Sequence, residues 1–290
     1  MQQTKYRMPR LWKGMRFYYK LRYRKGHGVH SPFTYNLITK VIEEKFPYYV
    51  FEEIESFRTQ ILERKDSYSQ ITAQKTHHRK YGQLLFRLVN FFNCENVLQI
   101  GASTGIMTLY LASALPACQC VVLEEDKDLK RFTEELIKQA RLKNVRIETG
   151  DYLLESDELA KKLFGFDLIF INTPNNELCK TIIDTCFFAK KDIIVIINGI
   201  NKIRSIKVLW QQLKKKSNVN VLIDLDVFGI IFFKENINKQ YYKIYMNDAK
   251  RPIFRRKKGR RRFFVEKTKG YLNLRIFNRL INRRLGGFLG

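Results

Sequence analysis

The stretch Val97-Leu98-Gln99-Ile100-Gly101-Ala102-Ser103-Thr104-Gly105 decides the fold. A short β-favouring run ends in a turn of small residues, and apolar side chains at helical spacing follow from Gly105 to Leu115, so the segment predicts a strand, a tight turn and a helix. The alternation continues downstream. Cys120 to Leu123 precedes Leu129 to Leu142, Val145 to Glu148 precedes Leu153 to Leu163, Phe166 to Ile171 precedes Leu178 to Ala189, and Ile193 to Ile197 precedes Ile206 to Leu213. Strands and helices in such succession predict an α/β fold, a doubly wound Rossmann-like sheet of mostly parallel strands with helices on both faces. Val219 to Val227 and Gly229 to Lys234 are different: two strands with Gly229 in a tight connection predict an antiparallel hairpin, a reversed last strand and a sheet complete at about Lys234.

Upstream, Ser31-Pro32 starts a helix, with Ser31 as N-cap and Pro32 at the first helical position. Phe33, Leu37, Ile38, Val41 and Ile42 carry it to about Lys45. Further helix and a polar connector occupy 48–75, and a helix from Arg79 to Phe92 leads into the sheet. The expected organisation is a basic helical extension over 1–78, a nucleotide-binding domain over 79–245 and a strongly basic tail over 246–290.

Small residues at 101 to 105 let the backbone pass close to a ligand at the carboxyl edge of the sheet, where open α/β sheets bind their ligands. Gly101, Ala102, Ser103 and Gly105 are therefore expected to line a nucleotide cofactor. Glu124 closes the second strand and is placed to accept hydrogen bonds from ribose hydroxyls, while Asp151, in Gly150-Asp151 after the third strand, is placed to face an adenine ring. Gly101 and Gly105 alone need do no more than make a tight turn; acids at the next two strand ends, each in register, argue for a ligand. Ser103 and Ile106 occupy the second and third glycine positions of the dinucleotide fingerprint. A pyrophosphate cradle, and with it NAD, is not expected.

These residues resemble the motifs of class I S-adenosylmethionine-dependent methyltransferases, above all the small-molecule O-methyltransferases, whose first motif often reads Ile-Gly-Thr-Ser-Thr-Gly. The similarity spans about Leu84 to Phe233. Lys25-Gly26-His27-Gly28-Val29-His30-Ser31-Pro32-Phe33 further resembles a group of bacterial methyltransferases of unassigned substrate. The resemblance implies S-adenosyl-L-methionine as cofactor, with Gly101, Ser103 and Gly105 along its methionine part, Glu124 on the ribose and Asp151 near adenine.

Three departures accompany it. Gln99 stands where the family usually has an acid that helps hold the cofactor's amino group. Asn172, in Ile171-Asn172-Thr173-Pro174-Asn175, stands where metal-dependent members carry a metal-binding Asp, and Asn198 where a second Asp is expected. Hard cations want carboxylate oxygens, so no metal is expected, and methyl transfer would rest on alignment and desolvation. The Asn172 loop also has a partial likeness to the Asn-Pro-Pro-aromatic loop of amino-methylating enzymes, which makes Asn172 the candidate catalytic residue. O- and N-methylation of an unknown acceptor both stay open. The alternative is a catalytically degenerate module of the same fold that binds RNA or anionic membrane.

That alternative comes from the charge. The chain of 290 residues carries a formal net charge of +26, concentrated at its ends. Residues 250–290 hold fifteen Lys and Arg against Glu266 alone, and residues 1–50 hold eleven against Glu43 and Glu44. Such ends attract polyanions, in a manner that weakens with salt, and make RNA or an anionic membrane surface the expected partner of residues 1–25 and 250–290. Arg260-Arg261-Arg262 beside Phe263 and Phe264 favours RNA; Leu274, Phe277, Ile281, Leu285 and Phe288 at helical spacing suit a basic amphipathic helix on a membrane or on the protein's own core. Cations interrupt residues 1–23, which read as neither signal peptide nor membrane span, so the expected location is cytoplasmic or peripheral at the inner membrane surface. The five cysteines read as reduced core thiols. His27 and His30 read as hydrogen-bonded holders of the N-terminal turn, with a base or anion contact as the other reading, and His77 and His78 as solvent-exposed.

Overall fold

The computed structural model describes residues 23–63, 78–149, 163–188, 192–216, 220–233 and 238–246. After a turn at Arg24–Gly26, α1 spans Pro32–Leu37, followed by α2 (Tyr49–Glu63) and α3 (Arg79–Phe91). Then come β1 (Asn96–Ile100), α4 (Ile106–Ala112), β2 (Gln119–Leu123), α5 (Lys127–Gln139), β3 (Val145–Glu148), β4 (Leu168–Ile171) and α6 (Asn176–Cys186). β5 (Ile193–Asn198), α7 (Arg204–Lys215), β6 (Val221–Asp224), β7 (Phe228–Phe233) and β8 (Gln240–Lys243) complete the order. The strands form one sheet, β3-β2-β1-β4-β5-β7-β6-β8.

Successive side chains of a strand point to opposite faces, and here both faces are dry. Val97, Phe170, Ile194, Ile196 and Ile230 pack into one core with α1 to α5. Leu98, Ile100, Ile169, Ile171, Val195 and Ile197 pack into the other with α6 and α7. Trp210 of α7 lies fully buried on the strand backbone at Gly229, where an added Cβ would come 2.6 Å from its ring. That close approach, rather than a turn, is why residue 229 is glycine.

The hairpin connection therefore differs from the expected one. Leu225 to Val227 make the turn, with Asp226 at φ 73° and its N–H donating to Asp224 Oδ1 at 2.9 Å; a short polar side chain tolerates the left-handed region. β7 is the reversed strand, antiparallel to both β5 and β6. The sheet does not stop at Lys234: β8 adds parallel to β6, pairing Val221 with Gln240 and Asp224 with Lys243. An edge strand this short carries no alternation in Gln-Tyr-Tyr-Lys from which to find it.

Ser31 caps α1 as expected, its Oγ accepting from the Thr34 N–H at 3.3 Å. The helix continues as a π-helical turn over Ile38–Ile42 and ends there, short of Lys45. Leu37, Ile38, Val41, Phe51, Ile54 and Ile61 belong to the same core as the sheet. Arg87 of α3 donates from Nε to the Val41 carbonyl at 2.7 Å, and burial lowers its guanidinium pKa to about 10. Among the described residues no helix is long and apolar enough to cross a membrane. Gly150, Asp151, His77, the segment 1–22 and the tail 250–290 lie outside the described residues, as does all but the end of the helix expected at Leu153 to Leu163.

Candidate active site at the carboxyl ends of the strands

Strand register assembles the site. Ile100 pairs with Leu123 on one side and Ile171 on the other, and Ile171 with Ile197. One residue further on, the chain ends of β2, β1, β4 and β5 therefore present Glu124, Gly101, Asn172 and Asn198 in a single row. Backbone bonds extend the ladder to it: Gly101 N–H donates to Leu123 O and Asn172 N–H to Ile100 O, both at 2.8 Å. With strands about 4.8 Å apart, the row is about 14 Å long. That span accommodates a nucleoside joined to an amino acid.

The glycine turn is shaped by backbone conformation and by Glu124. Gly101, Ser103 and Gly105 all have positive φ, at 85°, 54° and 70°. A Cβ on Gly101 would come 2.8 Å from the Asn172 carbonyl oxygen, so the first residue of the turn has room only for hydrogen. The buried Glu124 accepts from Ala102 N–H at 2.7 Å and Ser103 N–H at 3.3 Å through Oε2, and from Asp126 N–H at 3.1 Å through Oε1. A carboxylate has about four acceptor positions, so one is left for a hydroxyl. Glu124 thus holds the turn in place, a role not among those expected of it from sequence.

The other half of the row is built of amides. Asn172 Nδ2 donates to the Gly101 carbonyl at 3.2 Å, and Asn198 Nδ2 to Asn172 Oδ1 at 2.9 Å. Gln99, fully buried, donates to the same Gly101 carbonyl at 2.9 Å and accepts from the Thr108 hydroxyl at 2.9 Å. Its side chain is committed to the interior rather than to a cofactor's amino group. Asn198 Oδ1 is buried and has no hydrogen-bond partner among the described residues. A buried acceptor left unpaired costs about 1–3 kcal/mol, which a ligand donor would recover. No group of three or more His, Cys, Asp or Glu side chains fit to hold a metal occurs among the described residues.

Other candidates settle elsewhere. Asn175 caps α6, its Oδ1 accepting from Leu178 N–H at 3.1 Å. His27 and His30 are exposed and make no hydrogen bond among the described residues; the turn they were expected to hold is closed instead by Gly26 N–H to Tyr23 O and Lys25 N–H to Glu43. His78 is exposed but caps α3, a role its polar surroundings concealed. All five cysteines are buried and none is in a disulfide among the described residues; burial pushes the thiols of Cys179 and Cys186 up to about 12, which leaves them inert. An apolar cavity of about 300 Å³ lies between α2 and the far end of α4, lined by Ile54, Phe57, Leu109 and Leu142, away from the row.

A family model described as O-methyltransferase matches residues 52–220. The chain belongs to the O-methyltransferase family. Family membership makes it a class I S-adenosylmethionine-dependent methyltransferase, with the fold and cofactor that the glycine motif implied. The SAH-bound methyltransferase PaMTH1 of Podospora anserina is similar in structure, with TM-score 0.50 and 15% identity over 70% of this chain and 95% of that one. The Bacillus cereus O-methyltransferase in complex with SAH aligns at TM-score 0.45 and 16% identity, over 69% of this chain and 94% of that one. TomG of Streptomyces achromogenes, an O-methyltransferase involved in tomaymycin synthesis and solved with SAM, aligns at TM-score 0.44 and 15% identity over 62% and 94%. At such identities structural likeness speaks for the fold alone. No curated protein matches this methyltransferase in sequence.

Proposed function

We propose that this methyltransferase holds S-adenosylmethionine along Glu124 and the 101–105 turn and methylates an oxygen or nitrogen of its acceptor, without a metal ion, beside Asn172 and Asn198. The single row formed by these residues carries the reading. The residues present suit the cofactor: Glu124 keeps one acceptor position for a ribose hydroxyl, and the turn lies open in side-chain bulk where backbone must approach a ligand. When bound, the cofactor would supply an electrophilic methyl group: the acceptor's lone pair makes the new bond to carbon, the carbon–sulfur pair stays on sulfur, and the acceptor's proton leaves to solvent.

The chain's own residues then have two tasks. Asn172 fixes the Gly101 peptide against the end of β4, and Asn198 Oδ1 accepts a hydrogen bond from the acceptor's O–H or N–H, turning its lone pair toward the methyl group. Metal independence is supported by the donor set. Two carboxamides hydrogen-bonded to each other, one with its oxygen already engaged, are poor ligands for a hard cation.

Calorimetric titration of the full chain with S-adenosylmethionine tests the cofactor part, and a titration showing no heat would leave a degenerate fold. Release of S-adenosylhomocysteine during methyl transfer, with and without EDTA, tests the metal part: turnover unchanged by EDTA is expected, and turnover that vanishes with EDTA and returns with magnesium would overturn the metal-free reading.

A further inference from the structure

The two amphipathic helices α5 and α7 differ in charge. On α5 two of the four cations have acids one turn on, Lys130 at 3.9 Å from Glu134 and Arg131 at 4.0 Å from Glu135, and Asp128 lies in the same helix. From Ile193 to Ile223 there are six cations, Lys202, Arg204, Lys207, Lys214, Lys215 and Lys216, and no acid. α7 buries Ile206, Leu209, Trp210 and Leu213 and leaves Arg204, Lys207, Gln211 and Lys215 exposed along its outer side. Lys216 is paired with Asp184 at 2.7 Å and Lys214 lies 4.0 Å from the buried Asp224, but Lys202, Arg204, Lys207 and Lys215 have no ion pair among the described residues. At 1.5 Å per residue these exposed charges run about 16 Å. They begin with Lys202, in the turn that directly follows Asn198, so the strip starts at the candidate active site.

Its far end reaches β8. The Lys214 ammonium sits over the Tyr241 ring at 4.4 Å, and Lys239 donates to the Lys216 carbonyl at 2.6 Å. Burial lowers the Lys214 pKa, with Asp224 opposing the shift and Lys243 adding to it. Tyr23 packs edge-on against Tyr242 of β8 at 5.2 Å, and the residues before it carry Lys5, Arg7, Arg10, Lys13, Arg16, Lys20 and Arg22 with no acid. Met246 follows β8 by three residues and leads toward the basic tail. α2, by contrast, carries Glu52, Glu53, Glu55 and Glu63 against Arg58.

We propose that the outer side of α7 together with the β8 edge is a landing surface for a single-stranded polynucleotide, led toward the row of strand ends. Phosphodiesters answer unpaired cations strung along a helix, and bases stack on aromatics such as the partly exposed Tyr241. A bilayer does not suit this surface: an interfacial helix inserts its apolar side, and that of α7 is already buried in the protein core. The surface stands independently of the methyl-transfer reading, since it concerns charges that touch no cofactor.

The test is fluorescence anisotropy with the full chain and a labelled 20-nucleotide single strand, as RNA and as DNA, over a salt series. The triple variant Arg204→Gln, Lys207→Gln, Lys215→Gln is compared with Lys127→Gln, Lys130→Gln, Lys138→Gln on α5, which removes the same charge. The α7 variant is expected to lose about tenfold or more in affinity, and its log–log salt slope to fall by about 2, at about 0.7 per lost phosphate contact on a single strand. The α5 variant should stay within about threefold of wild type. Either strand bound through α7 supports the surface, and a difference in affinity between RNA and DNA tells which it prefers. Equal losses from both variants, or an unchanged slope in the α7 variant, would overturn the proposal, as would phosphatidylserine vesicles binding through α7 while neither strand binds. Circular dichroism on both variants checks that the fold is kept.

Discussion

Glu124 and Asn198 end two strands of one row, and the halves of the site they stand for are made in opposite ways. On the β2–β1 side a charged carboxylate takes three backbone N–H groups and fixes the glycine turn. On the β4–β5 side neutral amides hold one another, and the last of them ends in an acceptor with no partner among the described residues. A charge-assisted network is stiff and complete, whereas an amide pair with a spare acceptor is a place for a ligand to finish. On the proposed reading the first half holds the cofactor and the second meets the acceptor.

Breaking the carboxylate half should have the largest effect. Glu124→Ala removes the anchor of the turn and the ribose contact together, and S-adenosylmethionine affinity should fall by at least about tenfold by calorimetry; Glu124→Gln, which keeps an acceptor for Ala102 but turns a donor toward Asp126, should fall between that variant and wild type. An Ala variant that binds normally would show that the turn holds itself. Gly101→Ala comes next. A methyl 2.8 Å from the Asn172 carbonyl at a φ of 85° should cost about 1–3 kcal/mol of stability, read from denaturant unfolding, with weaker cofactor binding alongside.

How much of this contrast was legible beforehand follows from which contacts are local. The strand, turn and helix around Gly101 and the acid at Glu124 declare themselves within a few dozen residues, because periodicity and small residues are short-range signals. The amide half did not. That Asn172 and Asn198 touch depends on the register of β4 against β5, and that Gln99 turns inward depends on Thr108 and on a carbonyl two residues along its own chain. β8 was missed for another reason: four residues at a sheet edge have too little pattern to stand out, and it is pairing with β6 that makes them a strand.

Sharpening the acceptor half calls for smaller changes. Asn198→Ala should leave cofactor affinity within about threefold while methyl transfer to the acceptor drops about tenfold, a split that a purely structural role for Asn198 would not produce. Smallest of all, removing residues 250–290 should keep cofactor affinity within about twofold, since β8 is complete at Lys243, yet flatten the salt dependence of polyanion binding. Aggregation of that truncated chain would instead show Leu274, Phe277, Ile281 and Leu285 to be packing residues.

The Gly101 carbonyl and the Ala102 N–H belong to one rigid peptide plane. Its oxygen receives Asn172 and Gln99, and its nitrogen donates to Glu124. A rotation of that plane changes the bonds on both sides at once, so the two half-sites share a single mechanical degree of freedom. Whatever tightening one ligand gains through it, the other must gain to the same extent, and the order in which cofactor and acceptor arrive becomes a matter of rate rather than of equilibrium.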